Sequence, residues 1–174
     1  MRKFLISTAA FCLFILLGSS MTASAQAYSE VAKASKDDTI QVFNYKNNRI
    51  SISNDDIYLM AQTVFAESRA EPYTGKVAVA SVILNRLLDP EFPKTVEGVI
   101  KQKGAFSCVI NGKIGFAPTD DCVNAVYDAL KGMDPTGEAV FFYNPKTATS
   151  RWMKEIKKAN VKPIGNHVFF VASR

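Results

Sequence analysis

From Ser53 onward the apolar residues recur at helical intervals. Ile57, Met60, Ala61, Val64 and Phe65 line one face of "SNDDIYLMAQTVFAES", which predicts an amphipathic helix. Ser53 followed three residues later by Asp56 is a capping-box pattern, and acids in the first turn complement the helix dipole. Residues 77–88, "VAVASVILNRLL", are apolar on nearly every side, so this helix is expected at the centre, stopping before Pro90. "TVEGVIKQ" predicts a short helix and "KGAFS" a turn. "PTDDCVNAVYDALKG" is amphipathic, with Thr119 as N-cap, Val123, Val126, Tyr127 and Leu130 facing inward, and Gly132 as a C-terminal stop. "AVFFYN" and "HVFFVA" have strand composition, with a helical turn, "TSRWMKEI", between them. The expected fold class is mainly α, an α+β domain with a small β element late in the chain. Residues 28–52 are polar and mixed. They read as a linker or lead-in segment, with a short strand at residues 40–45.

The N-terminus has a different pattern. Arg2 and Lys3 precede an apolar run over residues 4–17, then Gly18, Ser19, Ser20 and "TASAQA". This is the n-region, h-region and small-residue cleavage site of a secretory signal peptide, and cleavage after Ala25 or Ala27 both fit. An uncleaved anchor is the other reading, but the run is short of the roughly 20 residues that a bilayer span needs. Cys12 lies inside the h-region, away from the cleavage site. The expected organisation is therefore a signal peptide at 1–27, a lead-in at 28–52 and a catalytic domain at 53–174. The product is a secreted or cell-envelope protein with no stable membrane insertion after cleavage.

About 147 residues remain after the signal, enough for one sizeable core. The chain carries +5, or +3 without Arg2 and Lys3. That mild basicity suits an anionic cell envelope. It does not indicate nucleic acid, because no basic run is interleaved with aromatics, and "KEIKK" reads as a solvated face. With one histidine and no Cys/His cluster, no metal and no cofactor are expected. Cys108 and Cys122 survive export. They are either a disulfide or two separate packing residues. A bond would close a loop of about 15 residues, worth roughly 3 kcal/mol in the chain-entropy model.

The stretch "TVFAESRAEPYTG" places Glu67 and Glu71 four residues apart, with Arg69 between them, where a buried helix is about to end. On a continuing helix Glu67 lies about 80° from Ile57 and about 20° from Met60. It borders the apolar stripe, and partial desolvation there favours the protonated form that a general acid needs. A solvent-facing Glu paired with Arg69 is the plainer alternative. Glu71 precedes Pro72 and is biased towards an extended conformation.

"AESRAEPYTGKVAVASVILNRLLDPEFPKTVEGVIKQKGAFS", "DALKGMDPTGEAVFFYNPKTATSRWM" and "IGNHVFF" together resemble the SleB/CwlJ-type cell wall hydrolases, which include spore cortex-lytic enzymes. The likeness runs from about residue 56 to 170, in several ordered blocks. The family's usual block has Gly where this chain has Ala70. The resemblance implies a lysozyme- or lytic-transglycosylase-like helical domain that cuts peptidoglycan glycan strands, in spore cortex lysis at germination or in another wall setting. It maps the catalytic acid onto Glu67. It makes "GAFS", residues 104–107, and "YNP", residues 143–145, cleft-lining segments, with Trp152 and His167 in matching late blocks. A separate wall-binding repeat domain, present in some relatives, does not fit within residues 28–52. A regulatory protein partner is left unidentified.

Glycoside hydrolysis generally uses two carboxyls flanking the bond. A lytic transglycosylase manages with one. It protonates the glycosidic oxygen and then takes the proton of the muramic C6 hydroxyl, which closes a 1,6-anhydro ring. One clear acid, Glu67, favours the transglycosylase. If Glu71 faced Glu67 across a cleft, it would supply a water-activating base and make a muramidase. Phe106, Tyr143 and Trp152 are candidates to stack on sugar rings. Gln102, Ser107 and Asn144 are candidates to hydrogen-bond N-acetyl or lactyl groups, and His167 is a structural hydrogen-bonder near a "GN" turn. A non-catalytic wall-binding or morphogenetic protein on the same fold is the alternative of a different class.

Overall fold

The computed structural model describes residues 39–173. The expected signal peptide and residues 28–38 lie outside the described residues. The chain opens with β1 (Ile40–Tyr45) and β2 (Asn48–Ser53), then α1 (Asn54–Ser68), α2 (Tyr73–Leu88), α3 (Val96–Lys101) and α4 (Asp120–Leu130). It closes with β3 (Phe141–Tyr143), α5 (Arg151–Glu155), β4 (Lys158–Ile164) and β5 (His167–Ala172). No helix among the described residues is long and apolar enough to cross a membrane.

The four main helices follow the hydrophobic pattern. Ser53 caps α1 with its hydroxyl accepting from Asp56 N at 3.1 Å, while Asp56 accepts in return from Ser53 N. The α2 helix is buried from Val77 through Arg86. Its Val, Ile and Leu side chains each contribute roughly 1.5–3 kcal/mol of apolar burial. On α4, Thr119 has the extended backbone of an N-cap, but its hydroxyl reaches Cys122 Sγ at 3.2 Å and caps no backbone amide. Gly132 follows α4 at φ 101°, a left-handed conformation suited to a residue without Cβ.

Two strands differ from the sequence reading. The strand expected at residues 40–45 is present as β1, but the rest of the lead-in adds β2, and the two form an antiparallel hairpin in which Tyr45 pairs with Asn48 across a turn at Lys46 and Asn47, both at positive φ. Tyr45, Ile50 and Ile52 are buried in the same core as the helices. The turn is pinned from inside. Lys46 Nζ lies 2.7 Å from Asp134 Oδ2 and 2.9 Å from Asn85 Oδ1, and the Tyr45 hydroxyl donates to Asn85 at 2.8 Å. Asp134 also accepts from the Thr136 amide and hydroxyl, the Glu138 amide and Asn85 Nδ2. The second difference is β4, which joins β3 and β5 in a sheet of order β3-β5-β4. It is an outer strand with a register shift between Ala159 and Lys162, and it carries lysines and Pro163. Edge strands tolerate these residues and central ones do not.

Candidate active site

Helix α1 ends at Ser68, so Glu67 sits in its last turn, half-buried. The loop after α3 folds over it. Ser107 Oγ and Cys108 N both donate to Glu67 Oε1, each at 3.1 Å. Among the described residues no hydroxyl or amide donates to Oε2. Both donors thus meet the same oxygen, and the Cys108 thiol is turned to the same carboxylate. The two donors are in place to bind the anion formed when a proton leaves. Phe106, next to Ser107, is buried and anchors this loop in the core.

Arg86 lies beneath the loop, a residue that the sequence reading did not single out. It is 3% exposed, and its guanidinium stands 5.0–5.8 Å from the ring centroids of Phe106, Phe92 and Phe141. Its Nε donates to Val140 O at 2.7 Å, while Nη1 is buried with no partner. Burial pushes the guanidinium down to about 10, against the pull of the Glu67 charge, so it remains a cation at neutral pH. The available signal was Asn85–Arg86 interrupting an all-round apolar run, because buried polar groups need a specific reason to be there.

Glu71 lies in the break between α1 and α2. Its side chain is 6% exposed, and it is turned to the β4–β5 hairpin. Asn166 N donates to Oε2 at 2.8 Å and Asn166 Nδ2 to Oε1 at 3.1 Å. Gly165 is held at φ 59°, and a Cβ there would collide with Glu71 Oε2. Of the described residues, those with a polar atom on Glu71 thus include the turn that the sequence read as "GN".

The residues that surround Glu67 can now be set against known proteins. A family model described as Cell Wall Hydrolase matches residues 70–170. The chain belongs to the cell wall hydrolase family. It is 50% identical over 117 residues to a spore cortex-lytic enzyme of Bacillus cereus, covering 67% of this chain and 44% of that protein. It is 46% identical over 138 residues to the spore cortex-lytic enzyme of Bacillus subtilis, covering 79% and 43% respectively. The chain thus spans less than half the length of these curated relatives. Among solved structures, the catalytic domain of the Bacillus cereus SleB protein superposes with a TM-score of 0.63 at 47% identity, covering 74% of this chain and 96% of that one. The catalytic domain described as a germination-specific lytic transglycosylase, SleB from Bacillus anthracis, matches with the same TM-score at 48% identity, covering 68% of this chain and 96% of that one. The fold is the mixed helical and sheet arrangement of that catalytic domain.

In this cell wall hydrolase the other sequence candidates separate. Ser107 touches Glu67. His167 is brought to Glu71, with Nδ1 4.0 Å from Oε1, buried and without a hydrogen bond, and its ring edge-on to Phe142. The expectation that His167 is a hydrogen-bonder is not met at that nitrogen. Phe106 is a core residue beneath Arg86 instead of an open stacking platform. Asn144 spends its Oδ1 on Lys146 N within its own turn. Tyr143 is half-buried, edge-on to Phe170 and beneath the Lys158 ammonium. Trp152 is 49% exposed and edge-on to Phe141, while Gln102 is exposed at the end of α3. Among the described residues no group of three or more His, Cys, Asp or Glu is arranged to hold a metal ion.

The candidate disulfide is absent: Cys108 and Cys122 are free thiols. The buried Cys122 faces the Thr119 hydroxyl on its own helix, while Cys108 is turned to Glu67. Each sulfur is thus directed at a different partner, which spacing in the sequence does not reveal. Burial first, then the charge and hydrogen bonding of Glu67, push the Cys108 thiol up to about 12. The native thiol is therefore expected to alkylate slowly at mildly alkaline pH. Glu67→Gln removes the charge that opposes the thiolate, so Cys108 in that variant should react measurably faster with iodoacetamide. Equal rates in the two proteins, followed by mass spectrometry, would contradict this placement.

Proposed function

We propose that the protein is a peptidoglycan lytic transglycosylase, acting outside the cytoplasm on the bond between N-acetylmuramic acid and N-acetylglucosamine, with spore cortex as its setting. The names of its relatives support the substrate and the setting. The choice of reaction rests on one observation: Glu71, the only other acid in the block, has both oxygens engaged by Asn166 and is nearly buried. It is unavailable to activate water. Glu67 then carries both proton transfers. Its acid form protonates the glycosidic oxygen as the bond to muramic C1 breaks. The C6 hydroxyl oxygen attacks C1, and its proton passes to the Glu67 carboxylate. The acid is regenerated and no water is consumed. Ser107 and the Cys108 amide hold the carboxylate between the two transfers.

Mass spectrometry of the muropeptides released from purified cortex is expected to show 1,6-anhydromuramic ends, each one water lighter than a hydrolysed end. Glu71→Gln, which keeps one acceptor for Asn166, should leave the product type unchanged. Reducing muramic ends as the main product, lost in Glu71→Gln, would establish a muramidase in place of this reading.

A further inference from the structure

Residues 106–116 form a strap across the C-terminal half of α1. At one end Phe106 is buried, and Ser107 Oγ and Cys108 N meet Glu67. The chain then turns back on itself at Asn111 and Gly112, both at positive φ, where Ile110 and Lys113 exchange backbone hydrogen bonds of 2.9 and 3.0 Å. At the other end Gln62 Nε2, on α1, donates to Phe116 O at 2.8 Å. The Phe116 ring lies 6.1 Å from that of Phe65, and the Arg69 guanidinium stands 4.8 Å from both ring centroids. Arg69 caps α1 with helical backbone angles. At 100° per residue, Gln62, Phe65 and Arg69 therefore lie within about 60° of one another around the helix, and each is about 140–160° from Glu67. The strap thus touches two opposite sides of the helix that carries the acid.

The sequence alone pairs Arg69 with a neighbouring acid. In the fold Glu67 and Glu71 are held by other donors, and Arg69 is stacked between two rings. A guanidinium suits that place, because it is planar and stacks on aromatic faces, which attract a cation. Beyond the turn Ile114 touches the core. Phe116 is 43% exposed, so the core does not seat it. Gln62 at its carbonyl and Arg69 at its ring fasten it to α1 instead. Ser107 and Cys108 lie between two anchors, the buried Phe106 and this clasp.

We propose that Arg69, with Gln62 and Phe116, is a clasp that pins the strap and so keeps the Ser107 hydroxyl and the Cys108 amide on Glu67. Arg69 touches no reacting atom in this role. It is a positioning residue that acts through the strap from the far side of α1. A catalytic group must be held within about 0.5 Å of its productive place, and a strap loose at its far end does not hold its donors that closely. The proposal rests on Glu67 as the acid and is the same for a transglycosylase and a muramidase.

The test compares the parent with Arg69→Ala, Phe116→Leu and Phe116→Tyr. Turnover of soluble peptidoglycan glycan fragments gives kcat and KM, and iodoacetamide labelling is followed at Cys108 by peptide mass spectrometry. Arg69→Ala should lower kcat about tenfold with little change in KM, because a misplaced catalytic group loses transition-state stabilisation and not substrate binding. Its Cys108 thiol, no longer held on Glu67, should alkylate faster than in the parent. Phe116→Tyr keeps a ring face and should behave like the parent. Phe116→Leu keeps apolar bulk alone and should follow Arg69→Ala. Both residues are exposed, so thermal melts should shift little. Ser107→Ala combined with Arg69→Ala should cost less than the product of the two single losses, since both act on one contact. Parent-like kcat and labelling in Arg69→Ala would overturn the proposal. A raised KM at unchanged kcat would overturn it too, by making Arg69 a substrate contact, as would a lower kcat with labelling unchanged. Equal losses in Phe116→Tyr and Phe116→Leu would remove the ring face from the clasp. A Glu67→Gln protein with full activity would sink the assignment of the acid, while faster Cys108 labelling in Arg69→Ala would leave the clasp standing.

Discussion

Glu67→Gln is expected to abolish glycan cleavage while leaving the fold intact. Gln keeps an oxygen that accepts from Ser107 and from the Cys108 amide, so the loop over the site retains its anchor. What it lacks is the exchangeable proton. Loss of one acid/base group costs on the order of 10²–10⁴ in rate. Here a single group serves both transfers, so the upper end is expected. Muropeptide release from purified cortex gives the rate, and a thermal melt shows whether the variant is folded. A folded variant with full activity would remove Glu67 from the mechanism.

Asp134→Ala is expected to have the largest effect on stability. The side chain is 6% exposed and ties together Lys46, Asn85, Thr136 and the Glu138 amide, so its loss strands several buried donors at once. Removing one partner of a buried ion pair costs about 3–5 kcal/mol. Lys46 keeps some water contact, which places the expected loss near the lower figure, still a large part of the roughly 5–15 kcal/mol that holds a domain together. Urea unfolding gives the value directly. The effect should also depend on pH with a definite sign. Burial alone would raise the Asp134 carboxyl, but the hydrogen bonds from Lys46, Thr136 and Asn85 outweigh it and hold the group below its ordinary range. A depressed acid stabilises the fold above its unfolded value of about 3.9 and loses that contribution as pH falls through its folded value. The gap in midpoint between the parent and Asp134→Asn should therefore be full at neutral pH and narrow below about pH 4. A gap that stays constant in acid would mean that the charge contributes nothing.

The helices were legible in the sequence because each buries a stripe or a whole surface, and burial leaves periodicity behind. The position of Glu67 at the edge of such a stripe was readable for the same reason. The strand β4 was not, because an outer strand needs no apolar alternation, and its lysines resemble a solvated loop. β2 was missed differently: "NRISIS" does alternate, with Ile50 and Ile52 inward, but its polar neighbours obscured the period. The cysteines show another limit. Their spacing allowed a bond, while the direction of each sulfur is set by the helix and turn that carry it. Glu71 shows the limit most clearly. Its local sequence says only that it is not helical. Its partner is 95 residues away, and nothing near position 71 announces Asn166. Asn85 and Arg86 were hidden for the opposite reason, as two polar side chains inside a run so apolar that it read as plain core.

That distance between Glu71 and Asn166 bears on when the enzyme becomes competent. Contacts between residues far apart in sequence close large loops and tend to form late. The clamp at the end of the catalytic helix closes on a turn 95 residues further along the chain. A chain still emerging from the ribosome or crossing a membrane has Glu67 and Glu71 long before it has Asn166. Until residue 166 is delivered, the junction behind the acid lacks this partner. The order in which the chain is made thus puts the acid in place well before the clamp that holds its junction.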